Sequence, residues 1–332
     1  MQIPRGAAYA APHFDMEIKI TDPTLDRADR ELEKREAKRK PRGYLGMSAI
    51  GDCPRKSAYR HAMVGGKPFN ATTLKNFADG HRTEDLVIER LRLAGVTVMD
   101  VDPETGKQIE VVDHDGHFVG HLDGEIFNLV QAPKTPHVLE VKCVSDKRFA
   151  DFIKLKEKHG EKATLKAWSE TYYAQHQVYM LYRGRKRGYM VVASAGGRQW
   201  SSCRTEFDKE AAQYYVERAR QIIFERDRLP DRIAETPSYY MCRWCEFSSV
   251  CHEGKAPLRN CRSCVWVEPI ASGAWHCHMH KQDLDFEKQI KGCADQRYRP
   301  AFVGGEVLDV DDVGNRVTYR LVDGSMWIDG NA

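Results

Sequence analysis

The 332-residue sequence has no uninterrupted apolar stretch approaching the ~18 residues that a membrane span requires, so no bilayer-crossing helix is expected. Its opening, MQIPRGAAYAAPHFDMEIKI, lacks the charged start and continuous apolar core of a secretory leader, and a soluble, cytoplasmic chain is expected. Internal repeats and low-complexity tracts are also missing, which excludes solenoid and fibrous architectures. The G-x-G-x-x-G fingerprint is absent, and with it the usual sign of a flavin or nicotinamide redox protein. Charge of one sign is scarce too: 51 Lys and Arg against 48 Asp and Glu leave a net charge of +3, so the global balance identifies no partner. Cysteine is sparse for a disulfide scaffold, at 10 residues in the whole chain.

What is present is unevenly placed. Eight of the cysteines fall at or after Cys203, several at the short spacings of metal ligands. Basic residues gather in residues 27–42, ending in REAKRKPR, and again as Arg183, Arg185, Lys186 and Arg187 in YRGRKRG. Both clusters are candidates for phosphate contact, although a solvated, charge-laced helix accounts equally well for the first.

Residues 1–44 are polar and charged and read as an extension; globular patterning starts at Leu45. The apolar spacing predicts helices over 73–95, 164–182 and 209–228, the second with Trp168, Tyr172, Gln175, Tyr179 and Tyr182 on one face. Strands are predicted at 96–99, 108–112, 118–125, 138–144, 188–194 and 199–207. The last segment alternates like a hairpin or meander turning at Gly314-Asn315. The expected fold class is α/β. Its units are the 1–44 extension, a core over 45–251, a Cys-rich module over 252–300 and a β-hairpin over 301–332.

Within HVLEVKCV, residues two apart share a face, so Glu140 and Lys142 point together while Leu139, Val141 and Cys143 point the other way. Asp123, in GHLDGEI, precedes this strand by a connection long enough to place it opposite Glu140 in an antiparallel pair. Two converging carboxylates suit a hard divalent cation such as magnesium or manganese, with room left for water and a phosphate. A neighbouring ammonium, Lys142, would position water and stabilise developing negative charge. Taken alone, an E-x-K on a strand is as well explained by an ordinary solvent-facing hairpin.

The order of the surrounding residues is more specific. Glu84 in GHRTEDLV, Asp123, Glu140 and Lys142 in LEVKC, and Gln175 with Tyr179 in YYAQHQVYM follow one another in a way that resembles the PD-(D/E)XK nuclease superfamily, in particular its RecB-like exonucleases. YYAQHQVYM is also similar to the corresponding helix of the viral YqaJ and lambda-type exonucleases, which hints at a phage source and hence a host-cell cytoplasm. The resemblance implies a restriction-endonuclease-like core, a central mixed sheet flanked by helices. It implies Asp123 and Glu140 as metal ligands with the Val141 carbonyl, Lys142 beside the attacking water, and Gln175 and Tyr179 orienting Lys142 or contacting DNA. The first-helix ligand is Glu in the viral relatives and His in CRISPR-associated ones, and His81 lies one turn from Glu84, so the choice between the two stays open. Leu122 stands where the family usually has Pro. A helix face packed on the sheet would explain Gln175 and Tyr179 equally well.

Cys242, Cys245 and Cys251 form C-x2-C-x5-C and need a fourth thiolate, for which Cys53 in SAIGDCPRKSAYR is the candidate. This arrangement is similar to that of AddB and CRISPR-associated nucleases, and the resemblance implies a [4Fe-4S] cluster; zinc is the competing metal by ligand type. A second group, Cys261, Cys264, Cys277 and Cys293, has the spacing of a separate zinc knuckle, with His276, His278 and His280 able to replace a thiolate. Cys143 and Cys203 sit inside predicted strands and read as small buried hydrophobes. The expected activity is metal-dependent exonucleolytic hydrolysis of DNA in recombination, repair or phage genome processing, with DNA as partner and room for a recombination or replication protein. The rival is a DNA-binding or assembly protein that keeps a nuclease fold without catalysis.

Overall fold

The computed structural model describes residues 22–330; residues 1–21, with the whole of the opening quoted above, lie outside them. The core is a five-stranded sheet. It is built from β2 (Thr97–Met99), β5 (Gly124–Phe127), β6 (His137–Val144), β7 (Arg187–Ser194) and β8 (Trp200–Glu206), in that spatial order. The β6–β7 pair is parallel and the others antiparallel, so the sheet is mixed. A smaller sheet joins β1 (Leu45–Gly46), β4 (Phe118–His121) and β3 (Glu110–Asp113).

Alternation along the central strands decides what covers each face. Leu139 and Val141 of β6, Tyr189 and Val191 of β7 and Ile126 of β5 pack on Val87 and Ile88 of helix α3 (Ala71–Leu93). On the opposite face Val138, Val144, Met190 and Val192 join Tyr173, Val178 and Met180 of helix α6 (Glu170–Tyr182) and Tyr215, Ile222 and Ile223 of helix α7 (Lys209–Phe224). That layer also takes Phe149 and Phe152 of α4 (Asp146–His159) and Leu165 of α5 (Glu161–Trp168). Helix α1 (Pro23–Ala37), which carries half of the first basic cluster, buries no residue of its own and lies along α3, with Asp29 2.6 Å from Lys75.

Two predicted elements are divided. The 118–125 strand breaks at Leu122–Asp123, where the chain leaves the small sheet and enters the central one. The 164–182 helix breaks at Ser169, whose extended backbone and side-chain acceptor for the Tyr172 N–H make it the N-cap of α6. The predicted final hairpin is a three-stranded meander of β12 (Gly305–Asp311), β13 (Arg316–Leu321) and β14 (Met326–Asp329), with Asn315 at φ 46° in its first turn.

After α7 the chain forms helix α2's partner region. Helix α2 (Pro54–His61) packs against α7, and its Tyr59 joins Ala62, Val64 and Phe247 in a cluster bordered by Val250 and Cys251 of the short helix α9 (Ser248–His252), which follows α8 (Tyr240–Arg243). A three-stranded sheet of β9 (Val267–Pro269), β10 (Trp275–Cys277) and β11 (Gln282–Leu284) follows, closed by helix α10 (Phe286–Lys291). Among the described residues, no helix is long and apolar enough to cross a membrane.

Candidate active site

Strand β6 and the turn before β5 bring the two expected carboxylates together. Gly124 pairs with Leu139, so Asp123, the next residue outward, lies opposite Glu140. Asp123 Oδ2 accepts the Val141 N–H at 2.7 Å, which fixes the carboxylate against β6. Val141 thus meets Asp123 through its amide. Lys142 Nζ pairs with Glu140 Oε1 and lies 4.0 Å from Asp123 Oδ2. Asp123 and Glu140 are buried, Glu140 to 1% exposure.

Helix α6 covers this group. Gln175 donates its side-chain amide to Glu140 Oε1 at 2.6 Å, while the Tyr179 hydroxyl, one turn on, donates to the His121 carbonyl at 2.9 Å. Tyr179 therefore braces the strand leading to Asp123 and does not touch Lys142 by a hydrogen bond. Tyr172, three residues before Gln175 and so on the same helix face, lies with its ring 5.5 Å from Lys142 Nζ. Its contact with Lys142 was not anticipated from sequence, although the i, i+3 spacing to Gln175 was visible.

From the other side, α3 contributes Glu84. Burial, and then the charge of Asp123, push its carboxyl up to about 7. His81, one turn earlier on α3, is exposed, so of the two candidates Glu84 is the one within the field of Asp123. Burial followed by the Asp123 charge also pushes Glu140 upward. Burial alone would lower Lys142, but Glu140 and Asp123 outweigh it and hold the ammonium charged.

Three carboxylates thus share one ammonium. Among the described residues, Glu140 Oε2 is buried with no hydrogen-bond partner, an orphaned acceptor that costs free energy unless a cation or donor meets it. Buried carboxylate oxygen in excess, one atom of it unpartnered, is the donor type a hard divalent cation takes.

The four cysteines expected at the cluster, Cys53, Cys242, Cys245 and Cys251, converge on one cavity with Lys56, Tyr59 and Phe247. Cys53 is the residue before Pro54 of α2, and the other three come from α8, α9 and their connection. All four are free thiols, the ligand type that a soft metal centre takes. Cys203 is fully buried in β8, as a small hydrophobe should be, whereas Cys143 is partly exposed, with its sulfur 3.6 Å from Asp79.

The second basic cluster is engaged inside the protein. Arg183 Nε donates to Glu125 Oε1 at 2.7 Å, Arg185 pairs with the other oxygen of that fully buried carboxylate, and Arg187 lies 3.2 Å from Glu206. Three of the four cations expected to meet phosphate therefore neutralise carboxylates of the sheet.

No family model matches the chain, and no curated protein matches it. Among solved structures, it is similar to the protein SSO0001 at 14% identity over 71% of this chain and 98% of that one, with a TM-score of 0.40. It is similar to the alkaline exonuclease LHK-Exo from Laribacter hongkongensis at 17% identity, over 58% of this chain and 90% of that one, with a TM-score of 0.37. It is also similar to a phage-related exonuclease from Haemophilus somnus 129PT at 13% identity, over 54% and 91%, with a TM-score of 0.30.

Proposed function

We infer that this protein is a divalent-metal-dependent nuclease that hydrolyses phosphodiester bonds of DNA, acting as an exonuclease in recombination, repair or phage genome processing. The observation that carries the reading is the buried junction of Asp123, Glu140 and Lys142, with Glu140 Oε2 left without a partner. Asp123, Glu140 and Glu84 would hold magnesium or manganese, joined by the Val141 carbonyl. When bound, the cation supplies Lewis acidity toward a phosphate oxygen and lowers the proton affinity of a water.

The chain's own groups do the positioning. Lys142, held charged between Glu140 and Asp123, presents N–H donors to the attacking water and to the phosphoryl oxygens as negative charge develops. Gln175 fixes which Glu140 oxygen is committed to the protein and so which faces the cation. Tyr172 sets its ring beside the lysine on the helix side. Cys53, Cys242, Cys245 and Cys251 would hold a [4Fe-4S] cluster whose role is structural, tying the segment before α2 to α8 and α9.

The test is digestion of end-labelled linear single- and double-stranded DNA with and without manganese. Glu140→Ala and Lys142→Ala should each remove metal-dependent product while circular dichroism stays unchanged. Undiminished digestion in both variants would overturn the assignment.

A further inference from the structure

The second cysteine group takes no part in the carboxylate site. Cys261, Cys264, Cys277 and Cys293 line one cavity with Trp266, Val267 and His280. Three of the four thiols are buried, and they make up half of the buried apolar cluster of their module, beside Val267, Trp275 and Leu284. A cluster of six residues is too small to hold three short strands and a one-and-a-half-turn helix by apolar burial alone.

One further observation points to missing negative charge at this place. Among the described residues, four arginines bonded to the segments that carry these cysteines lack an ion-pair partner, although none of them lines the cavity. Arg262 and Arg297 are buried, Arg226 and Arg299 half-buried, and among the described residues no carboxylate oxygen lies within 4.0 Å of any of them. Their N–H groups go to neutral acceptors: Arg226 to the Cys264 carbonyl at 2.9 Å, Arg262 to Gln289 Oε1 at 3.0 Å, Arg297 to the Gln296 carbonyl at 2.7 Å and Arg299 to the Arg226 carbonyl at 3.1 Å. Buried cations call for nearby negative charge. Four neutral thiols supply none, whereas a divalent ion in four thiolates carries a net charge of −2.

We propose that Cys261, Cys264, Cys277 and Cys293 bind one zinc ion, which sets the turn holding residues 43–63 of the nuclease core in place. Zinc fits better than an iron-sulfur cluster because His280 and Asp295 bring ligating atoms within 4.8 Å of the Cys293 sulfur. Imidazole and carboxylate are ordinary zinc donors beside thiolate. As zinc enters, each thiol gives up its proton to solvent, and the four sulfur–metal bonds replace four S–H bonds.

The turn between Cys261 and Cys264 is also the one that grips the core. Arg262, sandwiched over the Trp275 ring at 4.6 Å, donates to the Gly43 carbonyl at 2.7 Å and the His61 carbonyl at 3.3 Å, while Asn260 donates to the Met63 carbonyl at 2.8 Å. His61 closes α2, the helix that starts next to Cys53.

Elemental analysis of the full-length protein purified without added metal tests this. About one zinc per chain is expected, released stoichiometrically to a chromogenic chelator when a mercurial titrates the thiols of the unaltered protein. Cys293→His should keep the zinc and Cys293→Ala should lose it. Limited proteolysis should then cut the zinc-depleted protein near residues 43–63 several times faster. Absence of zinc from the unaltered protein, iron in its place that disappears with Cys264→Ser, or full zinc in Cys293→Ala would each overturn the proposal.

Discussion

Gln175 and Glu140 are joined by a 2.6 Å hydrogen bond from amide to carboxylate, and both side chains are buried. The bond occupies one oxygen of Glu140 and leaves the other open, so the helix sets the direction in which the carboxylate presents its free lone pairs.

Replacing that donor should therefore act through the metal. Gln175→Leu is expected to raise the manganese concentration needed for half-maximal DNA cleavage by about 10–100-fold, the usual range for a partner that orients a ligand. Cleavage at saturating manganese should fall much less. A purely packing role would instead lower the melting temperature and leave the manganese requirement where it was.

Among the described residues, Lys142 is the one cation beside Glu84, Asp123 and Glu140. Lys142→Met leaves buried carboxylates uncompensated, and removing one partner of a buried pair costs about 3–5 kcal/mol. Thermal unfolding without metal should shift downward accordingly, and millimolar magnesium or manganese should restore part of the loss by binding the folded state. Calorimetry with and without the cation reads both effects.

At Glu125, burial alone would raise the carboxyl, but hydrogen bonds from Arg185 and Arg183 outweigh it and hold it below its ordinary value of 4.5. A depressed carboxyl contributes stability that is present above its unfolded-state value and lost as pH falls through the folded one. Urea unfolding should show stability declining below about pH 4.5 in the unaltered protein, and Glu125→Gln should be less stable at neutral pH with a flatter acid limb. An unchanged slope would show that the arginine pair does not hold this carboxylate.

Gly51 approaches α6 so closely that an added Cβ would lie 2.7 Å from Ala174 Cβ, the Glu170 carbonyl and Thr171 Cα. Two of those three neighbours are backbone, so Gly51→Ala must displace the helix that carries Gln175 or the segment that leads to Cys53. A loss of about 1–3 kcal/mol in unfolding free energy is expected, with weakened visible absorbance from the proposed cluster. Retained stability and colour together would count against this coupling.

Much of the site could be read from the alternation of β6. Glu140 and Lys142 on one face and Leu139 and Val141 on the other follow from strand geometry, and the structure keeps that division. The break between β4 and β5 was hidden because Phe118, Val119 and Ile126 form a plausible single strand, and nothing local records a change of sheet. Helix α4 is legible in the sequence although it is absent from the predicted helices: Phe149, Phe152 and Ile153 recur at three- and four-residue steps and pack on the core. Arg183 and Arg185 looked available for phosphate because their partner, Glu125, lies 60 residues away from Arg185 in sequence. Pairings of that kind belong to the tertiary fold.

The division of β6 has a further consequence for how faulty molecules behave. A slip of one residue against β5 would turn Glu140 and Lys142 toward Val87 and Ile88 and push Leu139 and Val141 beneath α6. Such a chain could not settle into a slightly impaired form, because ions would face an oily helix and the helix bearing Gln175 would have nothing to grip. Registry errors in this strand are thus sorted into discarded chains and sound ones, and the population that survives folding is uniform at its most reactive place.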